Sequence, residues 1–321
     1  MSSVSFLFLY RFAKVFQNVV KDLFNVSLLP LVNEFVEGYN GVLFFVSPSS
    51  QMSDDMISGT DANKVAFQSL MVDELFKKMG KEVRESVAYD TQSTRAEIKL
   101  QMFEFTNDIV RDLLDTDNRP ELAETMENGA YIEGAKECIV SSASEAVREI
   151  RTGWKARTRA MVPAAQHATT PDASAVVIQF ELSRLRRQPG PEAGDSESQI
   201  RLHRSRLRLV YLPGCELLVP GSRSAVSSPL PLLIRCVGDL AGNHPATLSL
   251  DFSGNQLTNI LRDELAGNCK TVAIFAFPRN IDAKVLEAEI DASQKFGMLR
   301  TFPIVNTDNA YVCFISFFRN I

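Results

Sequence analysis

Short apolar runs bounded by turn-forming residues recur along this 321-residue chain and constrain its fold more than any other feature. They are residues 42–46, 176–180, 207–212 and 272–277. Such runs are typical of strands that helices cover on both faces of a sheet. Residues 67–76 and 257–265, which lie between them, have the apolar spacing of helices. The alternation predicts an α/β fold with a covered central sheet.

The overall composition is that of a folded domain. Hydrophobic residues make up 45% of the chain and charged residues 23%, so residues 1–321 are predicted to form one domain. The net charge of -5 gives no electrostatic case for binding nucleic acid or an anionic membrane. The chain also lacks the run of about 18 apolar residues that a membrane span needs.

Cysteine and histidine spacing argues against a metal site. The five cysteines are scattered without a C-x-x-C pair, and the three histidines lie far apart. We therefore expect no metal, no disulfide framework and a reducing, cytoplasmic setting. The apolar run Val4 to Tyr10 is short, has no basic n-region before it and has no small-residue cleavage site, which favours a buried strand over a signal peptide.

One arginine-rich segment interrupts the pattern. Residues 183–206 combine six arginines with Pro189, Gly190 and Pro191, so we predict a mobile surface insertion there. Two interpretations of its arginines remain open. They are either a solvated surface or a contact for an acidic protein partner.

Five segments, in order, resemble the kinesin motor domain. Residues 12–16 (FAKVF) are similar to F-D-x-V-F, and residues 30–32 with 37–44 are similar to P-L-V and G-Y-N-G-T-x-F. Residues 103–114 resemble L-E-I-Y-N-E-x-V-x-D-L-L, and residues 257–271 resemble L-T-x-x-L-x-D-S-L-G-G-N-x-K-T. The resemblance implies a P-loop NTPase fold with a central, mostly parallel sheet flanked by helices. The family's opening strand has no counterpart before Phe12.

The resemblance implies an ATP site, but the phosphate loop is degenerate. In G-x-x-x-x-G-K-[ST], backbone N–H groups wrap the phosphates, the lysine neutralises their charge and the hydroxyl holds Mg²⁺. Counted from Gly41, these four positions are Ser47, Met52, Ser53 and Asp54. An added carboxylate at about 4 Å from a phosphate charge is unfavourable by about 4 kcal/mol at an effective dielectric of about 20. We therefore expect no cofactor, with ATP and Mg²⁺ only if the chain is a divergent motor.

Both nucleotide switches are altered as well. The segment resembling N-x-x-S-S-R-S-H keeps two hydroxyls, Thr169 and Thr170, but has Pro171 at the arginine position. The segment resembling D-L-A-G-S-E has Tyr211 at the aspartate position and keeps Gly214 and Glu216. Since proline cannot supply a guanidinium, Glu216 has lost the partner that the resemblance implies.

The surface that kinesins press on microtubules has also lost charge. The family's basic P-Y-R-D-S-K-L-T-R corresponds to residues 251–259, in which every basic position is neutral. The positions that remain candidates for facing a microtubule are Gln256, Asn259, Arg262 and Lys270.

Three functional hypotheses remain. The first is a kinesin-like microtubule-associated or scaffold module without ATP hydrolysis, and the second is a divergent ATP-dependent motor. The third is a partial product of a longer kinesin-like protein, since residues 307–321 form a phenylalanine-rich tail that is foreign to the family. All three imply a cytoskeletal location, with a cilium or centriole expected by family analogy alone.

Overall fold

The computed structural model describes residues 20–47, 67–88, 96–106, 109–125, 129–164, 174–188, 199–219, 229–242, 252, 255–277 and 281–309. The helices in these ranges are α1 (Val20–Leu23), α2 (Leu29–Glu37), α3 (Phe67–Ala88), α4 (Ala143–Ala164), α5 (Pro229–Ala241), α6 (Gln256–Ile260), α7 (Arg262–Ala266) and α8 (Ala283–Met298). A π-helical turn, Phe24–Leu28, joins α1 to α2, and a 3₁₀ turn covers Cys215–Leu218. No described helix is long and apolar enough to cross a membrane.

Ten strands make up two sheets in the described ranges. They are β1 (Gly41–Ser47), β2 (Ala96–Thr106), β3 (Ile109–Asp112), β4 (Glu121–Thr125), β5 (Gly129–Glu133), β6 (Cys138–Ile139), β7 (Ala175–Gln188), β8 (Gln199–Pro213), β9 (Lys270–Phe275) and β10 (Thr307–Asn309). Strands β4 and β5 form a separate hairpin. The main sheet has the order β3-β2-β7-β8-β1-β9, with β6 beside β2 and β10 beside β8.

The α/β class is confirmed, but the main sheet is mixed rather than mostly parallel. In the described part of the chain, parallel pairing is confined to β1 with its neighbours β8 and β9. Pairs β2–β3, β2–β7 and β7–β8 are antiparallel. The apolar runs did not reveal this difference, because a strand covered on both faces has the same composition in either orientation.

Strand β1 is buried along its whole length and separates two apolar layers. Leu43 and Phe45 point into a core formed with α2, α3 and α4. Val42, Phe44 and Val46 point into a second core formed with α5 to α8 and the β4–β5 hairpin. Successive side chains of a strand point to opposite faces, so the uninterrupted apolar run is what a central strand requires.

The prediction of a mobile loop over residues 183–206 is wrong for most of that segment. Residues 183–188 and 199–206 extend β7 and β8 as a paired hairpin, and residues 189–198 lie outside the described ranges. Arg184 is 1% exposed and donates to the carbonyl of Val36, while the Ser205 hydroxyl donates to the carbonyl of Phe35 over 2.7 Å. These polar side chains bind the end of α2, whereas composition alone predicted that they would be solvated.

A row of buried polar side chains crosses the sheet on the face covered by α5 to α8. Gln179 donates to Gln101 over 2.9 Å, and Arg208 Nε donates to Gln179 over 2.7 Å. Arg208 Nη1 also donates to the Glu264 carboxylate over 2.6 Å and to the Ile260 carbonyl over 2.5 Å. Burial lowers the pKa of Arg208 to about 10, although the Glu264 carboxylate opposes this shift. These side-chain hydrogen bonds link helices α6 and α7 to strands β8, β7 and β2.

We predict that Arg208→Met destabilises the protein by about 3–5 kcal/mol, because it leaves the buried Glu264 carboxylate without its cation. The double variant Arg208→Met/Glu264→Leu should recover much of this loss, since neither charge is then buried alone. Urea unfolding measures both effects. The control Arg148→Met removes a 67% exposed arginine and should change stability by about 0.5 kcal/mol or less. A loss for Arg208→Met no larger than that of the control would contradict the assignment.

Candidate functional site

The candidate site lies at the carboxyl ends of the parallel strands β1 and β8. Ser47, the last residue of β1, is paired with Pro213 at the end of β8. The backbone N–H of Gly214 donates to the carbonyl of Ser47 over 3.0 Å. Gly214 has a φ of 93°, a conformation that glycine adopts without steric cost. Ligands of α/β sheets bind at this edge. Here, one of the backbone donors at the edge is used to join two strands.

Part of the predicted site falls on described residues. Ser47, Tyr211 and Gly214 lie together where β1 and β8 end. The remaining positions lie outside the described residues: Met52, Ser53, Asp54, Thr169, Thr170, Pro171 and the side chain of Glu216. The assignments of those positions stay predictions.

Tyr211 is packed in a buried aromatic cluster. Its side chain is 2% exposed, and its ring centroid lies 5.5 Å from that of Trp154 on α4 in an edge-to-face arrangement. The ring of Phe45, its neighbour on β1, lies 6.4 Å away. Trp154 Nε1 donates to Gln68 on α3 over 3.2 Å, which fixes the indole between two helices. Tyr211, which stands where the family's aspartate faces Mg²⁺, is therefore buried in an apolar aromatic contact.

A buried charged cluster lies beside this site. Glu104 on β2 accepts from Arg157 Nε over 3.1 Å, from the Ser174 hydroxyl over 2.8 Å and from Arg111. Arg157 also lies over the Trp154 ring at 5.6 Å. Arg157 belongs to α4 and Ser174 immediately precedes β7, so the cluster links α4 to the start of β7. The sequence analysis missed it, although one signal was present, namely a glutamate inside the apolar strand β2.

The cysteines and acidic groups offer no metal centre within the described ranges. No group of three or more His, Cys, Asp and Glu side chains in that part of the chain is placed to hold an ion. Cys138, Cys215, Cys236 and Cys269 are free thiols. Burial raises the pKa of Cys236 to about 11 and that of Cys269 well above its ordinary value. Neutral, buried thiols are poor nucleophiles and poor metal ligands.

The order of motifs and the geometry at the ends of β1 and β8 agree with a comparison to known families. A model of the kinesin motor domain family matches residues 8–283. This chain belongs to the kinesin motor domain family.

Individual relatives are distant and longer than this chain. The kinesin heavy chain of Neurospora crassa is 24% identical over 305 residues, which cover 90% of this chain and 30% of that protein. The kinesin-like protein KIF27 of Mus musculus is 23% identical over 268 residues, covering 79% and 18% of the two chains. The solved structure of a fast kinesin superposes with a TM-score of 0.67 at 21% identity, over 90% of this chain and 78% of that one. This kinesin-family chain thus spans about a third or less of the curated relatives it matches.

Three of the four residues predicted to face a microtubule lie on α6 and α7. Arg262 is bound to Glu124 on the β4–β5 hairpin, and this hydrogen bond raises the pKa of the guanidinium. Gln256 Oε1 and Asn259 Oδ1 are buried and have no hydrogen-bond partner in the described structure. The charge of Arg262 is therefore partly neutralised by Glu124. The amide oxygens of Gln256 and Asn259 point into the protein rather than towards solvent.

The structure separates Lys270 from the other three residues. It lies at the start of β9, where its ammonium is 3.2 Å from the Glu34 carboxylate on α2 and 5.6 Å from the Tyr39 ring centroid. Its charge is thus directed to the α2 side of the sheet, away from α6 and α7.

The β4–β5 hairpin gives the surface next to α6 and α7 an acidic character. Glu121, Glu124 and Glu133 are exposed on it, and Asp263 lies against Gly129 in its second strand. A Cβ added to Gly129 would lie 2.2 Å from the Asp263 carboxylate, so the close approach requires glycine. Of these carboxylates, Glu124 is paired with Arg262, whereas the charges of Glu121 and Glu133 disfavour an acidic partner.

We predict that Tyr211→Asp destabilises the protein by about 3 kcal/mol or more, because it places a carboxylate between Trp154 and Phe45. Restoring the family's aspartate is therefore not expected to restore a nucleotide site. Tyr211→Phe, the matched control, keeps the ring and should lose only about 0.5–1.5 kcal/mol with the hydroxyl. Thermal and urea unfolding measure the difference. Equal stability of the two variants would show that the cluster tolerates a charge.

Proposed function

We propose that this kinesin-family chain is a binding module that attaches to its partner without hydrolysing ATP. The observation that carries the proposal is the filled position at the end of β8, where Tyr211 packs on Trp154 and Phe45. In a hydrolysing site, a carboxylate at this position would act through Mg²⁺ on the phosphates. A buried phenol ring supplies neither the charge nor the space for that role.

The chemistry of the bound nucleotide supports the same proposal. The triphosphate of ATP carries several negative charges close together. Phosphoryl transfer depends on a lysine, a metal ion and backbone N–H donors to stabilise them. Residues 47–54 contain no cation, and their only charged residue is Asp54. The backbone N–H of Gly214 already donates to Ser47. Loss of hydrolysis is therefore a consequence of several independent changes, none of which needs the others.

Microtubules or tubulin are the first partner to test, because kinesins are the relatives that the chain matches. The location that follows is the cytoskeleton, with a cilium or centriole as the finer possibility. Attachment is expected to be weak and not to depend on nucleotide, since Glu121, Glu124 and Glu133 oppose an acidic surface. A protein partner at the distal end of the β7–β8 hairpin, toward residues 189–198, is a second proposal.

The divergent motor is the alternative from the enzyme class. It requires a cation beside the phosphates that comes from outside residues 47–54. No described contact favours it, because Lys270 pairs with Glu34 and Arg157 pairs with Glu104. The titration below separates the two.

We predict that Mg-ATP, titrated to millimolar concentration, leaves the fluorescence of the protein unchanged. Trp154 is the single tryptophan of the chain and contacts Tyr211, so it reports directly on the site. Trp154→Phe is the control that identifies the source of the signal. ATP turnover should also stay at background with and without microtubules. A saturable fluorescence change, or turnover stimulated by microtubules, would support the motor instead.

We predict that co-sedimentation with microtubules does not decrease from about 50 mM to about 200 mM salt, because salt screens the repulsion between this surface and an acidic partner, and that it is the same with and without nucleotide. The variant Glu121→Lys/Glu133→Lys should bind about fivefold more tightly at low salt, because two exposed repulsive charges are reversed. Asp73→Lys reverses one exposed charge on α3, across the sheet, and should have little effect. A binding curve that responds to nucleotide, or equal gains for both variants, would contradict attachment through this surface.

A further inference from the structure

Helix α4 has two exposed positive charges on its outer face. Arg151 and Lys155 are four positions apart, so they lie on the same side of the helix, about 6 Å apart along its axis. Neither cation forms an ion pair with a residue in the part of the chain that the structure describes, where the paired arginines of α4 are Arg148 and Arg157. The outer face of α4 is therefore locally basic in a chain whose net charge is -5.

The structure of α4 itself does not account for these two charges. Earlier on the helix, Arg148 is neutralised by Glu145 and Glu149 at 3.7 and 3.1 Å. Residues 150–164, the remainder of α4, contain no carboxylate that could do the same for the two exposed cations. Like charges at this spacing destabilise a helix slightly. The helix dipole does not compensate, since it acts on the last turn and both cations lie further from the C-terminus.

The basic face lies on the opposite side of the molecule from the β4–β5 hairpin. Ile150 and Trp154 of α4 pack on the core under α2 to α4. Ala130 and Ile132 of the hairpin pack on the core under α5 to α8, across the sheet. One partner surface therefore cannot contact the basic face and the hairpin at the same time, so the basic face fits a partner separate from a microtubule held at the hairpin.

We propose that Arg151 and Lys155 bind an extended, glutamate-rich segment of another protein. Side chains two residues apart in an extended chain point to the same side and are separated by about 6.6–6.8 Å. This separation is close to the distance of about 6 Å between the two cations along α4, so glutamates at alternate positions can meet both of them.

Two observations favour a short acidic segment over nucleic acid. The net charge of -5 repels a long polyanion, which would extend past the basic face onto the rest of the chain. Trp154, the aromatic residue of α4, is buried in the core, so unpaired bases find no ring on this helix to stack on. Through this face the chain would present a second partner while the hairpin side is occupied, which is the arrangement of a scaffold.

Fluorescence anisotropy of a labelled peptide, titrated with the full chain, tests the proposal. The probe has about ten residues with glutamate at every second position, and the matched neutral peptide has glutamine there. We expect saturable binding of the glutamate peptide that weakens as salt rises from about 50 mM to about 200 mM. The glutamine peptide should not bind.

Charge variants of α4 identify the binding face. Arg151→Gln/Lys155→Gln should weaken binding of the glutamate peptide about fivefold, and Arg151→Glu/Lys155→Glu about tenfold or more, because two attractive charges are removed and then reversed. Both positions are exposed, so urea unfolding of the variants should match that of the unaltered protein. The matched control, Arg235→Glu/Lys284→Glu, reverses two exposed cations on α5 and α8 and should change the affinity by less than about twofold.

Four results would overturn the proposal. The first is the absence of saturable binding at low salt, and the second is an equal loss of affinity in the two charge-reversed variants. The third is tighter binding of single-stranded RNA, or of vesicles of phosphatidylcholine and phosphatidylserine, than of the glutamate peptide. The fourth is a dimer that dissociates on dilution and is abolished by Glu121→Lys/Glu133→Lys, since this would assign the basic face to a second copy of the chain.

Amide chemical shifts locate the bound peptide directly. On titration with the glutamate peptide, the shifts should change most between Arg151 and Lys155 and stay constant in the hairpin, residues 121–133. Changes concentrated outside α4 would overturn the proposal. These measurements contain no nucleotide, so this proposal and the proposed loss of ATP hydrolysis can fail separately.

Discussion

The fold depends on the double burial of strand β1. A strand covered on both faces needs apolar side chains along its length and hydrogen-bonded partners on both edges, which β8 and β9 supply. The two cores are built outward from this strand, one under α2 to α4 and the other under α5 to α8. The described contacts of both cores are made by side chains of these helices and strands.

Each face of the sheet also contains a buried ion pair that links a helix to the strands. On one face Arg208 binds Glu264, and at the candidate site Glu104 binds Arg157. A buried pair contributes little net stability but is strongly destabilising when one partner is lost, so these contacts fix the position of the helices more than they stabilise the chain. The second pair also holds Ser174, at the end of the segment that resembles the first switch.

At the candidate site, Tyr211 makes apolar contacts where the family's aspartate would place a charge. An aspartate at the end of β8 would need a metal or solvent beside it, because an isolated buried carboxylate is costly. Tyr211 removes that requirement and packs with Trp154 and Phe45. On the surface that resembles the family's track-binding face, Arg262 pairs with Glu124 of the neighbouring hairpin. Both features support the proposed binding module.

The sequence by itself predicted the family and the α/β class, and both are confirmed, because they follow from residue types in a fixed order. The assignment of Ser47 and Tyr211 as degenerate nucleotide positions stays a prediction. The sequence did not determine strand orientation, since apolar runs are the same in parallel and antiparallel strands. It also misassigned Arg184 to a mobile loop and grouped Lys270 with Arg262. Tertiary structure decided these points, and it created the Tyr211–Trp154 contact and the Glu104–Arg157 pair from residues more than 50 positions apart. The physical reason is that burial and pairing of a charge depend on which distant backbone lies beside it, and only the folded chain fixes that.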